Sequence, residues 1–206
     1  MRLLLATTNA NKVREIRPAL GGLQLDLLTL ADFPPIEEPD ESAPTYWENA
    51  RLKAFGYARA TASDTGAASP IIVVAEDSGL EIAGLGGAPG VLSARFLGAG
   101  VPYAERFAAI YRQLHPLGPP AWAARFVTAL TAVRGETVLF ETETAIDGVI
   151  APAPAGDRGF GYDPIFVPEG FQKTFGELSC GIKQQISHRA RATAKIIAYL
   201  RGFIAA

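Results

Sequence analysis

Four stretches of this chain carry side chains whose types and spacing could do chemistry, and the first of them suits phosphate. Thr7-Thr8-Asn9-Ala10-Asn11-Lys12 places a lysine just after a polar turn, where a helix is expected to begin. A helix N-terminus presents unpaired backbone N–H groups and the positive end of its dipole, so this turn could bind a phosphate group. Capping of the helix by Thr or Asn is the alternative interpretation. The phosphate-binding pattern G-x-x-x-x-G-K-[ST] does not occur in the chain.

The second and third stretches supply carboxylates. Glu76-Asp77-Ser78-Gly79 follows a β-branched, apolar run, and residues 32–48 carry six acidic side chains and no Lys or Arg. Ionised groups beside a core are costly unless they are paired or bind a metal, so these carboxylates suit a hard cation. Adjacent side chains on a strand point to opposite faces, so Glu76 and Asp77 could share one ion only if the backbone turns, which Gly79 would permit. A solvated acidic loop and an aspartate that caps a turn are the alternatives.

The fourth stretch, in the last quarter of the chain, suits a planar base. The rings in Gly159-Phe160-Gly161-Tyr162-Asp163-Pro164 could stack on a base, although a tight turn with two core aromatics is the alternative. Lys183, Ser187, His188 and Arg189 follow near the expected start of the last helix. Arginine presents a planar set of donors that could bind a purine O6 or a phosphate. Together with the carboxylates and the phosphate turn, these groups describe a nucleotide site.

The elements that must position these residues alternate at first between strand and helix. Short apolar runs predict strands at 3–6, at 71–75 (ending at Glu76) and at 165–167. Helical spacing predicts helices after Asn9, from about Pro44-Thr45, over 103–114 and over 187–204. The sequence predicts a hairpin turn between residues 123–133 and 137–146, and a small, polar linker at 62–70. We therefore expect a mixed α/β sheet with helices on both sides.

Composition and charge exclude several classes of protein. The 206 residues are 49% hydrophobic, which suits one domain covering 1–206, or two small lobes that share a core. The single cysteine excludes an intrachain disulfide, and no apolar run is long enough to span a membrane. A net charge of −2 excludes a generally basic nucleic-acid-binding surface. We expect a cytoplasmic protein whose ligand is a small molecule, with neither nucleic acid nor membrane as a partner.

Motifs along residues 3–200 resemble those of the inosine/xanthosine triphosphate pyrophosphatase family. The combination of G-F-G-Y-D-P and S-H-R with D-S-G-L and G-A-P-G is specific to that family. In chain order the matching segments are Ala6 to Lys12, Glu48-Asn49-Ala50 with Lys53, Glu76 to Leu80, Gly86 to Gly90 with Ser93-Ala94-Arg95, Gly159 to Pro164, and Lys183 with Ser187-His188-Arg189.

The resemblance implies an enzyme that removes deaminated purine nucleotides from the nucleotide pool. Members hydrolyse ITP, dITP and XTP to the monophosphate and pyrophosphate, use Mg²⁺, and generally form homodimers. The implied fold is an elongated mixed β-sheet flanked by helices, with two lobes and an active-site cleft between them. Arg189 offers only donors, so it suits the O6 acceptor of an oxidised purine and opposes the N6 donors of adenine.

The resemblance also implies a role for each residue at a matching position. Thr7, Thr8, Asn9, Ala10, Asn11 and Lys12 would hold the triphosphate, and Lys53 and Ser78 would also contact substrate. Asp77 would be the general base and a metal ligand, and Glu41 and Glu76 would be further metal ligands. Phe160, Gly161, Tyr162 and Asp163 would line the base pocket, which Lys183, His188 and Arg189 would complete.

Two residues of the candidate site depart from the family pattern. Thr8 replaces the usual Gly of T-G-N, so phosphate could meet a side chain there. Glu76 stands where bacterial relatives usually have Asp, and this longer carboxylate could bind Mg²⁺ directly or through water. Two other functions compete: a Maf-type pyrophosphatase for other nucleotides, and a nucleotide sensor without catalysis. The missing N-terminal S-x-S-P-R-R segment opposes the first, and the retained carboxylates oppose the second.

Overall fold

The computed structural model describes residues 1–62 and 71–205, apart from the side chains at 119, 120, 204 and 205. In this part of the chain the strands are β1 (Arg2–Leu5), β2 (Asp26–Thr29), β3 (Ile72–Ile82), β4 (Ala123–Arg134), β5 (Thr137–Ile150) and β6 (Phe166–Pro168). The α-helices there are α1 (Ala10–Leu20), α2 (Tyr46–Thr61), α3 (Tyr103–Leu114), α4 (Cys180–Ile186) and α5 (His188–Ala205). The polar linker predicted at 62–70 lies, from Ser63 onward, outside the described residues.

The six strands form one mixed sheet in the order β2-β1-β3-β4-β5-β6. Strand β1 pairs in parallel with both β2 and β3, whereas β5 and β6 are antiparallel. Strands β4 and β5 are neighbours joined by a tight turn in which Gly135 has a φ of 58°, as the predicted hairpin requires. The expected mixed α/β sheet with flanking helices is therefore confirmed.

The chain divides into two compact units. The first comprises Met1–Asp77, Thr128–Thr144 and Arg189–Ala206, and the second comprises Ser78–Val127 and Ala145–His188. Strands β3, β4 and β5 each contribute residues to both units. The cleft between two lobes that the family resemblance implies stays a prediction, as does the assignment of 1–206 to a single domain.

In the first unit, alternation along the strands builds two separate apolar clusters. Leu3, Leu5, Ile72 and Val74 pack with residues of α1 and α5, including Ile16 and Ile196. Their neighbours Leu4, Val73 and Ala75 pack with residues of α2, including Ala54 and Tyr57. Successive side chains on a strand point to opposite faces, so both faces of the sheet are buried at residues 3–6 and 71–75. This explains why these two segments are apolar throughout.

In the second unit, one apolar cluster gathers side chains from strands, helix and loops. Leu80 and Ile82 of β3 pack with Ile110 of α3, and Phe166 and Phe175 lie in the same cluster. The helix predicted at 103–114 is confirmed as α3. Among the described residues, no helix is both long enough and apolar enough to cross a membrane.

Strand β3 is longer than the sequence predicted. The sequence predicted that this strand ends at Glu76, with a turn permitted by Gly79, but β3 stays extended as far as Ile82. Charged side chains can remain on a buried strand when they are paired, and both carboxylates here have cationic partners. Two short elements, β2 and α4, were not predicted at all.

Candidate active site

The turn between β1 and α1 is built by local side-chain hydrogen bonds. Asn9 is the N-cap of α1, and its side chain accepts a hydrogen bond from the backbone N–H of Asn11 at 3.0 Å. The Thr7 hydroxyl accepts one from the N–H of Asn9 at 3.2 Å. The capping interpretation is thus confirmed for Asn9. Phosphate binding by residues 7–12 stays a prediction, which the position of the turn at a helix N-terminus supports.

Glu76 joins α1 and α5 through a buried ion-pair network. Its carboxylate is 2% exposed and accepts from Arg189 Nε at 2.9 and 3.1 Å. Lys12 Nζ lies 3.1 Å from Glu76 Oε1, and Arg189 Nη1 lies 2.6 Å from Glu15 Oε2. Glu76 faces these helices because it shares the face of Ile72 and Val74 on β3.

The network shifts the proton affinities of its members in definite directions. Burial alone would raise the pKa of Glu76, but Arg189 and Lys12 outweigh burial and hold that pKa far below its usual range. Burial is the main cause of the lowered pKa of Lys12, and Glu76 partly opposes it. Glu76 is therefore ionised at neutral pH, where its charge compensates those of Lys12 and the buried Arg189.

Asp77 faces the opposite side of β3, toward α2. Its Oδ2 accepts a hydrogen bond from Asn49 Nδ2 at 3.2 Å, and its Oδ1 lies 3.5 Å from Lys53 Nζ. Burial is the main cause of the raised pKa of Asp77, and the negative charge of Glu41 raises that pKa further. The positive charges of Lys53 and Lys12 act in the opposite direction. A carboxylate whose charged form is disfavoured by burial is a better proton acceptor than an exposed one. Asp77 thus caps no turn, and that alternative interpretation is wrong.

Two of the three predicted metal ligands converge. The ammonium of Lys53 lies 3.1 Å from Glu41 Oε2 as well as 3.5 Å from Asp77 Oδ1, so both carboxylates meet one positive charge. In residues 1–62 and 71–205, no three His, Cys, Asp or Glu side chains form a ready-made metal cluster. Mg²⁺ commonly takes one or two carboxylates and completes its shell with water and substrate phosphate, so this pair fits it.

Glu76 does not join that pair. The predicted sharing of one ion by Glu76 and Asp77 required a turn that β3 does not make, so the two carboxylates leave the strand on opposite faces. Glu76 instead meets Lys12 and Arg189.

In the second unit, Asp163 organises the predicted base loop. Its Oδ2 accepts from the backbone N–H of Phe160 at 2.7 Å and forms a buried ion pair with Lys183. Gly159 has a φ of 73°, and a Cβ there would collide with the Asp163 carboxylate. Lys183 Nζ also lies 4.8 Å from the centre of the Phe160 ring, which is half-buried. Phe160 and Lys183 are thus fixed beside each other.

Tyr162 and His188 are packed into the core of the same unit. The Tyr162 ring is 3% exposed, and its hydroxyl donates to the carbonyl of Ser93 at 2.9 Å. The His188 ring stacks on Phe126, with centroids 4.8 Å apart and planes at 7°. The interpretation of 159–164 as a turn with core aromatics therefore holds for Tyr162 but not for Phe160. Ser78 is half-buried on β3, and Gly161 has a φ of 65°.

The predicted residues thus fall into two sets. The first unit contains residues 7–12, Glu41, Lys53, Glu76, Asp77 and Arg189, and the second contains Ser78, residues 160–163, Lys183 and His188. Their functional roles stay predictions.

Sequence reasoning missed three partners of these residues. Glu15 lies one helical turn after Lys12 on α1, a spacing that could have indicated it. Asn49 belongs to the Glu48-Asn49-Ala50 motif, but no role was inferred for its side chain. Phe126 lies in an apolar strand, and nothing in the sequence distinguishes it from other core residues.

Comparison with known proteins identifies the family of this chain. Residues 3–199 match the family model described as the Ham1 family, and the chain belongs to that family. A "dITP/XTP pyrophosphatase" of Mycobacterium bovis is 43% identical over 204 residues, which cover 97% of this chain and 95% of the relative. The resemblance recognised in the motifs is thereby confirmed.

Solved structures agree with the fold. A HAM1 protein from Coxiella burnetii superposes with a TM-score of 0.86 at 31% identity, covering 98% of this chain and 99% of that one. A structure from Mycobacterium abscessus, described as "Nucleoside-triphosphatase / dITP/XTP pyrophosphatase", has a TM-score of 0.73 at 38% identity and covers 95% of this chain and 98% of that one.

Proposed function

We propose that this chain is a nucleoside-triphosphate pyrophosphatase that hydrolyses dITP, XTP and ITP to the monophosphate and pyrophosphate. The observation that carries the proposal is the convergence of Glu41, Lys53 and Asp77 on one face of β3 in a member of the Ham1 family. Cations and carboxylates in this arrangement suit a polyanionic substrate that undergoes attack by water.

Charge neutralisation is the first requirement of this reaction. A triphosphate carries about four negative charges near neutral pH, and these repel an incoming water. The helix N-terminus at Ala10 and the ammonium of Lys12 would bind part of this charge, with Lys53 close to the carboxylates. Bound Mg²⁺, held by Glu41 and Asp77, would supply further neutralisation of the phosphate oxygens.

Proton removal is the second requirement. Asp77 would orient a water for in-line attack between the α and β phosphates and accept its proton. Its raised pKa suits this role, and Asn49 fixes the orientation of the carboxylate through the hydrogen bond to Oδ2. Lys12, held by Glu76, would stabilise charge on the departing pyrophosphate.

Selection of the base is the third requirement of the reaction. Phe160 offers a half-buried ring for stacking, and the Lys183 ammonium beside it offers donors to a purine O6. Arg189 presents donors as well, but its Nε and Nη1 contact Glu76 and Glu15, so its role toward O6 rests on the family motif. A site built to donate to O6 would discriminate strongly against adenine.

A substrate panel tests the proposal. Purified protein is mixed with dITP, ITP, XTP, ATP, GTP and dTTP, with Mg²⁺ or with a chelator, and released pyrophosphate is measured. We expect turnover of the first three nucleotides that depends on Mg²⁺. Turnover of ATP or dTTP equal to that of ITP would refute the substrate assignment. Tight binding of ITP without pyrophosphate release would indicate a sensor instead. A cytoplasmic location and a homodimer form part of this proposal.

A further inference from the structure

The segment 33–44, here termed the acidic loop, carries Glu41 and contains no regular secondary structure. Without backbone pairing of its own, the loop takes its shape from contacts with the rest of the first unit. That shape matters because a carboxylate ligand is useful only where its position is well defined. Phe33 and Ile36 pack against the apolar cluster under α2. At the other end, the side chain of Asn49 accepts from the N–H of Ala43 at 3.0 Å and donates to its carbonyl at 3.2 Å.

Between these ends the loop lies directly on α2 at a glycine. A Cβ on Gly56 would lie 2.6 Å from Cγ and 2.9 Å from Cβ of Pro39, which is closer than side chains approach. Glycine within a helix lowers helix stability relative to alanine, so its presence here has a cost. The absence of a side chain at Gly56 lets Pro39, two residues before Glu41, sit against the helix.

A second contact joins the acidic loop to the phosphate turn. The Thr8 hydroxyl donates to Glu38 Oε1 at 2.8 Å, across 30 residues of sequence. Glycine at position 8 would leave this bond unmade, so it depends on the residue at which this chain departs from the family pattern. Burial, and then the charges of Glu38 and Glu41, raise the pKa of the Tyr57 hydroxyl on α2 to about 12.

We propose that Gly56 and the Thr8 hydroxyl are positioning residues that hold the acidic loop so that Glu41 stays beside Asp77. Gly56 provides the close seat for Pro39, and Thr8 fixes Glu38. The consequence for catalysis rests on the proposed function, since it concerns the carboxylate pair that fits Mg²⁺. The position of the loop itself is a property of the protein without metal or nucleotide.

The principal test is Gly56→Ala, with Gly202→Ala as the matched control. Both replace a helical glycine by a better helix former, but a Cβ at Gly202 meets nothing within 4 Å. We expect G56A to raise the Mg²⁺ concentration for half-maximal activity about tenfold, because the new methyl displaces Pro39 and with it Glu41. G202A should match the wild type.

A metal-free measurement tests the same displacement. A glutamyl endopeptidase needs an extended segment in its active site, so cleavage after Glu37 or Glu41 should become faster as the acidic loop leaves α2, and the rate of these two cuts reports the population of the open loop. We expect cleavage of G56A at least threefold faster than that of G202A. Equal cleavage rates and equal Mg²⁺ half-saturation in the two variants would overturn the proposal.

The contribution of Thr8 is tested separately with Thr8→Val and Thr8→Ser. Valine removes the donor and keeps the shape, whereas serine keeps the hydroxyl. We expect about threefold faster cleavage of the acidic loop in T8V and the wild-type rate in T8S. Equal rates in T8V and T8S would remove Thr8 from the proposal. If neither the wild type nor any variant hydrolyses dITP or XTP, the proposed function fails. The cleavage rates still decide whether Gly56 and Thr8 position the acidic loop.

Discussion

The two adjacent carboxylates of β3 have opposite electrostatic surroundings. Glu76 contacts both Lys12 and Arg189, and its pKa is held far below the usual range. Asp77 has Lys53 at 3.5 Å and an amide donor at 3.2 Å, and burial leaves its pKa raised. Environments that push two pKa values apart assign different work to chemically similar groups. One carboxylate suits the role of fixed anion and the other that of proton acceptor.

Replacement of Asp77 by Asn tests the proton acceptor. The amide has the shape of the carboxylate but cannot accept the proton of water, so we expect kcat to fall about 10²- to 10⁴-fold. Because burial already disfavours the charged form, the neutral side chain should leave the melting temperature within a few degrees of the wild type. Steady-state pyrophosphate release and thermal unfolding measure the two effects. Asp147→Asn, at an exposed position, is the control, and unchanged kcat in D77N would show that another group is the base.

Replacement of Glu76 by Gln tests the fixed anion. It leaves the half-buried Lys12 and the buried Arg189 without their shared partner, so we expect a loss of about 3 kcal/mol in the free energy of unfolding, or about 10 °C in Tm. Glu136→Gln, which breaks the exposed pair with Arg59, should cost at most about 0.5 kcal/mol.

The same variant has a defined pH dependence. A carboxylate with a lowered folded-state pKa stabilises the protein above its ordinary pKa of 4.5, and this contribution is lost as pH falls below that value. The difference in stability between E76Q and the wild type should therefore be full at pH 7 and shrink in acid. Urea unfolding at pH 7 and below pH 4.5 measures it, and a constant difference would contradict the ion-pair account.

At the scale of elements, the short strand β6 is defined by its close approach to β5. Gly148 lies opposite Pro168 in the antiparallel pair, and a Cβ on Gly148 would lie within 3 Å of both the Val167 carbonyl oxygen and the Phe166 ring. Phe166 is fully buried beside Phe126, on which His188 stacks. A glycine on β5 thus permits the packing that supports His188.

Gly148→Ala should disrupt this pairing. Insertion of a methyl group into a space already filled by backbone and a ring costs about 1–3 kcal/mol, and we expect about 2 kcal/mol here. The measurement is urea unfolding, with Gly202→Ala as a control that should be neutral or slightly stabilising. Equal stability of G148A and the wild type would show that the two strands separate at little cost.

Elements were predictable from the sequence where their own pattern was strong. The apolar run at 71–75 and the helical spacing at 103–114 appear as β3 and α3. Strand β2 was missed because its four residues, at the edge of the sheet, are only half-buried or exposed and include two leucines, which also favour helix. Helix α4 has seven residues, too few to show a period. The end of β3 was placed too early because charged residues interrupt the apolar pattern while neighbouring strands continue the pairing.

At the scale of the whole molecule, the family resemblance predicts a homodimer. The chain has a mass of 21.8 kDa, so light scattering behind size exclusion should give about twice that value at micromolar concentration. A dimer is stabilised by mass action, so dilution should lower the Tm. A mass of 21.8 kDa and a Tm that does not depend on concentration would contradict the prediction.

The sequence by itself indicated which residues could carry the chemistry, and it showed that Glu76 and Asp77 are neighbours next to an apolar strand. Strand alternation would place these two side chains on opposite faces unless the backbone turned there, and β3 continues to Ile82 without that turn. Only the tertiary structure decided their partners. Glu76 meets Arg189, 113 residues away, and Arg189 meets Glu15 across 174 residues. Local pattern sets the direction of a side chain, whereas the packing of helices on the sheet sets which distant charge lies within reach, and that packing depends on the whole chain at once.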